Sequence, residues 1–142
     1  MVALSKDEQN LLEVHKIRLE ERNIYDNFEK RYRERKFVKS SELLWGSIVK
    51  IAFAIGRLYG KKLGQHKLIV LLMKDLAKND PEVIEWIDSA GALHSNFYHN
   101  WMDEEIFESH VRKVIRLRIW LIKMLDEKTA EIMQSLVNKH HS

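Results

Sequence analysis

ELLWGSIVKIAFAIGRLYG, residues Glu42 to Gly60, decides the fold. Wound at 3.6 residues per turn, this stretch gathers Glu42, Gly46, Lys50 and Arg57 onto one narrow strip. Leu44, Trp45, Ile48, Ile51, Ala52, Ile55, Leu58 and Tyr59 cover most of the remaining circumference. A helix that is apolar nearly all round is surrounded by other helices, so this segment is expected at the centre of the core. Gly46 and Gly56 lie inside it although each costs roughly 1 kcal/mol against alanine. Close approach of another backbone would account for them.

On the N-terminal side, Ser5 reads as an N-cap with Asp7 and Glu8 in the first turn, where the helix dipole favours carboxylates. Glu8 reads there as the fourth helical residue, one too far for a capping box. The first helix is expected to reach about Phe37. It carries two apolar stripes, Leu4, Leu11, Leu12, His15 and Leu19 on one side and Ile17, Ile24, Tyr25, Phe28 and Tyr32 on another. Two apolar faces need two covering surfaces, one of which a second subunit can supply; a kink near Arg22 and Asn23 would reconcile them equally well. Ser40 or Ser41 then caps the central helix.

On the C-terminal side, Gly60 to Gly64 ends that helix, and Gln65 to Lys78 forms a short third one around LIVLLM. Asn79-Asp80-Pro81 is a start signal, a capping Asp followed by Pro at the first helical position. The fourth helix runs from Pro81 to about Asn100, with an interruption expected near Gly91. Asp103 caps the last helix, which carries an apolar seam from Phe107 through Val114, Leu121 and Leu125 to Leu136 and reaches about Asn138 before a frayed tail. The expected fold is all-α, an antiparallel up-and-down bundle of four to five helices with a long first and a long last helix, residues 1–142 forming a single domain.

Composition agrees. At 142 residues and 45% hydrophobic content, the chain is large enough for one proper core. Its 24 Lys and Arg are nearly matched by 21 Asp and Glu, so bulk charge alone compels no polyanion partner. The absence of cysteine excludes disulfides and thiolate chemistry. A charged first thirty residues and the shortness of LIVLLM point to a cytoplasmic protein with no membrane partner. No glycine-rich phosphate loop is present, and no cofactor is expected.

RLEER (Arg18 to Arg22), ELLWGSIVKI (Glu42 to Ile51), Gln65-His66 and ALHSNFYHNW (Ala92 to Trp101) together resemble the archaeal PaREP family of small helical proteins, which belongs with the HEPN superfamily of helical bundles. LHSNFY and the central LWG are the most specific pieces. The resemblance implies an antiparallel bundle, often a homodimer, and assigns no activity. Members of the wider superfamily that cut RNA carry an arginine, a polar neighbour and, four to six residues on, a histidine. Here His99 matches the histidine, His94 stands where the arginine would be, and Asn96 is the polar neighbour. Were the site active, His99 would be the general base and Asn96 an orienter. His94 is a poor substitute for the arginine, since imidazole is only partly protonated at neutral pH and cannot grip a phosphate bidentately.

The residues themselves favour a packed His94 whose ring nitrogens find backbone or carboxylate partners, with Leu93, Phe97 and Trp101 pointing one way. Histidines five apart cannot share a metal on one helix, so no metal site is expected unless His66 or His110 joins from another helix. His110 lies in the apolar arc of the last helix and reads as a buried, satisfied histidine. Arg118 lies in the same arc, with Glu42 as its expected partner. Two basic patches are the remaining candidates: the end of the first helix, with Arg33 and Lys36 among its cations, and Arg112, Arg116 and Lys123 beside Trp120 on the last.

The first expectation is a non-catalytic, homodimeric binding protein for RNA, a nucleotide or a partner protein. A metal-independent endoribonuclease or toxin component is the second, and a structural interaction subunit the third.

Overall fold

The computed structural model describes residues 3–141, with side chains through Lys139. Five helices follow one another: α1 (Lys6–Arg33), α2 (Phe37–Leu58), α3 (His66–Ala77), α4 (Pro81–His99) and α5 (Glu104–His141). No strand occurs among the described residues, and the first and last helices are the long ones expected.

α1 opens with a complete capping box. The Glu8 N–H donates to Ser5 Oγ at 3.1 Å while the Ser5 N–H donates to Glu8 Oε1 at 3.0 Å, which corrects the sequence count. Because the helix starts at Lys6, Glu8 is its third residue, the position from which a carboxylate reaches back to the cap. α1 then runs unbroken through Arg22 and Asn23. Its end also differs from expectation. Arg35 adopts φ 59°, Lys36 N–H donates to Arg31 O at 3.0 Å, and Arg35 N–H to Tyr32 O at 3.0 Å. These bonds make a Schellman motif, with arginine where glycine is usual, so α1 stops at Arg33.

α2 therefore starts at Phe37, before either serine assigned as its cap. Ser40 and Ser41 are fully buried inside the helix, and their hydroxyls donate back to Lys36 O at 2.7 Å and Phe37 O at 2.9 Å. α2 packs against α1, α3, α4 and α5 in turn. Leu44, Ile48, Ile51 and Ile55 are buried there with Met73, Leu93, Phe107, Leu117 and Leu121, so the central placement holds. A Cβ on Gly56 would lie 2.6 Å from Leu63 Cδ1; what comes close is a side chain, not the expected backbone. At Gly46 the nearest atom is Ile24 Cγ2 at 3.7 Å, an ordinary contact, so close approach does not explain that glycine. Gly60, at φ 70°, closes α2 with a Lys61 N–H to Gly56 O bond of 2.8 Å.

Asp80 caps α4 by accepting the Glu82 N–H at 3.1 Å and the Val83 N–H at 3.4 Å, and the helix continues without interruption through Gly91. Asp103 caps α5 through the Ile106 N–H at 2.9 Å. α5 continues to His141, so Lys139 to His141 are helical rather than frayed; Ser142 lies outside the described residues.

α1 and α5 run antiparallel, bridged by Arg18 to Asp126, Tyr32 to Glu108 and Arg35 to Glu104. The second α1 stripe, Ile17, Tyr25, Phe28 and Tyr32, packs on the core. The first stays outside, with Leu4, Leu12 and Leu19 at 45%, 59% and 62% exposure. None of the described helices is long and apolar enough to cross a membrane.

Candidate functional site

The segments ELLWGS, Gln65-His66 and ALHSNFY come from α2, α3 and α4, and the bundle brings them to one place. Trp45 is buried, and both His66 and His94 lie against it with ring centroids 4.5 and 4.9 Å away. The two imidazoles are 4.8 Å apart and nearly parallel. Tyr98 meets His94 edge-on at 5.1 Å. Glu42 Oε2 lies 3.1 Å from His94 Nδ1.

His94 therefore has the carboxylate partner that packing predicted, and that partner is Glu42, the residue expected to pair with Arg118. His66, part of the Gln65-His66 motif, does join His94 from another helix, and its place on Trp45 is set by tertiary register. Burial, and then the neighbouring His94, push the His66 pKa down, with Glu42 opposing. Ring faces stacked in this way do not turn their nitrogens toward a common point, and among the described residues no group of three His, Cys, Asp or Glu is placed to hold a metal ion.

Arg118 is partnered by Glu21 instead. Its Nε donates to Oε2 and its Nη2 to Oε1, each at 2.9 Å, with side-chain exposures of 11% and 7%. Ser47 Oγ adds a third bond to Glu21 at 2.6 Å, and the guanidinium lies 3.6 Å from the Tyr25 ring centroid. Facing helices decide this pairing: Glu21 of α1 and Arg118 of α5 share the antiparallel register that also joins Tyr32 to Glu108. The clue in sequence was a glutamate in RLEER one turn before the inward-facing Tyr25.

LHSNFY is rotated from its expected orientation. Ala90, Leu93 and Asn96 face the interior, whereas Phe97 and Trp101 are exposed. Asn96, at 1% exposure, donates from Nδ2 to Ser41 Oγ at 3.0 Å and accepts the Met102 N–H on Oδ1 at 3.0 Å. The turn after Asn100 leaves the Met102 N–H in need of an acceptor, and Asn96 supplies it. Both ends of its amide are thus engaged inside the protein. His99 is exposed as the last residue of α4. His110 Nδ1 is 2.9 Å from Ser89 Oγ, and burial pushes its pKa down, so it is the satisfied histidine expected.

The two basic patches differ. At the end of α1, Arg31 pairs with Glu34 at 2.8 Å, Lys36 approaches the same carboxylate at 3.8 Å, and Arg35 bonds Glu104 at 2.6 Å. Arg33 is exposed beside them. On α5, Arg112, Arg116 and Lys123 are exposed and fall on one side at spacings of four and seven residues. None of these three forms an ion pair among the described residues. Lys113 turns aside to Glu85 at 2.8 Å, and Trp120 is half-buried next to the row.

The sequence profile described as the Archaeal PaREP1/PaREP8 family matches residues 16–118, well over half of the chain. The chain belongs to that family. No curated protein and no solved structure matches it.

Proposed function

We propose, for this member of the archaeal PaREP1/PaREP8 family, a non-catalytic binding role in which the outer face of α5 holds RNA and a second copy pairs along the exposed leucines of α1. One observation carries the reading. Two carboxylates, Glu34 and Glu104, hold three of the six cations at the end of α1, Arg31, Arg35 and Lys36, while none of Arg112, Arg116 and Lys123 in their row on α5 forms an ion pair among the described residues. A row of unpaired cations along a rigid helix can follow a phosphate backbone, each contact releasing condensed counterions.

The pairing rests on Leu12 and Leu19, exposed at 59% and 62% on α1, away from the cation row of α5. Catalysis is disfavoured because Asn96, which would orient the reacting groups beside His99, has both ends of its amide committed inside the fold.

The test incubates labelled single-stranded RNA with the protein, with and without EDTA, beside Arg112→Gln/Arg116→Gln/Lys123→Gln and His99→Ala. Salt-sensitive retention without cleavage, lost in the triple variant, is the expected result. Cleavage that survives EDTA and vanishes in His99→Ala would replace binding with hydrolysis. Absence of retention would leave an interaction subunit. Light scattering reads the second copy separately, with Leu12→Glu/Leu19→Glu expected to be monomeric.

A further inference from the structure

α3 completes its share of the core with Ile69, Leu72, Met73 and Ala77, yet it carries a second apolar stripe that the fold does not use. Leu68 and Leu71 are 38% and 51% exposed. Together with Leu63 and Leu72 they floor a notch of about 430 Å³ between the α2–α3 connection and α3. Lys61 and Lys62 stand on its rim, and neither forms an ion pair among the described residues. Asp75 is the one carboxylate lining the notch. Exposed Lys67 and Lys78, toward the two ends of α3, add further positive charge.

We infer that this notch docks an acidic amphipathic helical segment of a partner protein, its aliphatic side chains on the leucine floor and its carboxylates against Lys61 and Lys62. The composition of the notch selects that occupant. Leucine offers no aromatic face on which a base could stack, so a nucleic acid would cover the floor at a desolvation cost with no return. The volume accommodates a few aliphatic side chains, which is how a helix lying in a groove anchors itself. The lysine rim complements carboxylates and repels a basic helix, which sets the sign of the partner. This surface stands apart from the α5 row, so either reading can fail without the other.

The probes are two dye-labelled synthetic helical peptides with the same leucine face, one flanked by Glu and the other by Lys, titrated against the full chain by fluorescence anisotropy. The Glu peptide should bind at least about tenfold more tightly than the Lys peptide. Leu71→Ser and Lys61→Glu/Lys62→Glu should each weaken it about tenfold, the size expected of an interface anchor. Unchanged thermal unfolding of these surface variants, and unchanged peptide binding by Arg112→Gln/Arg116→Gln/Lys123→Gln, would support the assignment. Failure of the Glu peptide to bind, equal binding of both peptides, or indifference to Leu71→Ser would overturn it. So would a wild-type dimer that Leu71→Ser converts to monomer, which gives the notch to a second copy. Preferential capture by phosphatidylglycerol vesicles, lost in the same variants, would give it to a lipid surface.

Discussion

Two polar centres flank α2, and they are built to opposite specifications. On the side of α1 and α5, Glu21 and Arg118 are 7% and 11% exposed, joined by two 2.9 Å bonds and completed by Ser47 and Tyr25. On the side of α3 and α4, Glu42 and His94 are 35% and 25% exposed, joined by one 3.1 Å contact, with a second histidine beside them. The sealed centre holds charges that cannot leave without stranding a partner, so it fixes the register of α1 against α5. The open centre leaves a quarter to a third of each partner in solvent, so it costs little to disturb. A polar cluster assembled from several family motifs thus need not be the working surface.

Breaking the sealed centre should have the largest effect. Arg118→Met, which leaves Glu21 buried and unpaired, is expected to cost about 3–5 kcal/mol in urea unfolding, and Glu21→Leu/Arg118→Met to recover most of that loss. A single variant as stable as wild type would show that the pair does not hold the register. Next in size, Asn96→Ala should cost about 1–3 kcal/mol, chiefly by stranding the Met102 N–H, since the Ser41 hydroxyl keeps its bond to Phe37 O. If cleavage of RNA vanished in that variant while its stability stayed unchanged, the amide would be a working group rather than a brace.

The open centre should respond more weakly. Glu42→Gln removes a partly solvated carboxylate contact to His94 and is expected to change stability by no more than about 1 kcal/mol. Larger losses would mean that the ring cluster is as structural as its sealed counterpart. Smallest is the pH effect. His66 and His110 have pKa values below that of a free histidine, so the unfolded chain binds more protons than the folded one as the medium is acidified. Their contribution is fully present above the ordinary histidine pKa and is lost as pH falls through the lowered folded values. The melting temperature should therefore drop by a few degrees between neutral pH and mildly acidic pH, and His66→Gln should flatten part of that slope. An unchanged slope would remove His66 from the cluster's titration.

Much of this fold was legible before any coordinates. The central helix announced itself through its one polar strip, and Asp80-Pro81 and Asp103 marked helix starts because capping and proline chemistry are local. What stayed hidden was decided at a distance. Ser40 and Ser41 look like caps, but Arg35 closes α1 in a left-handed conformation that residue type does not signal, which lets α2 start early. The rotation of α4 depends on a hydrogen bond to α2, and the choice of Glu21 over Glu42 for Arg118 depends on which helices face each other. At the candidate site, the α1 patch, with six cations around Glu34, looks the more basic of the two in sequence. Only the fold shows Glu34 and Glu104 pairing with its cations, which is what separates the two.

That separation is the claim on which the functional account stands, and the salt dependence of RNA affinity measures it directly. For wild type, the logarithm of the binding constant should fall linearly with the logarithm of salt concentration, and Arg112→Gln/Arg116→Gln/Lys123→Gln should flatten the slope by roughly 2, about 0.7 for each lost phosphate contact to a single strand. Arg31→Gln/Arg35→Gln, which removes cations already paired with Glu34 and Glu104, should leave the slope nearly unchanged. A slope untouched by the α5 substitutions, or flattened instead by those at the end of α1, would contradict the account.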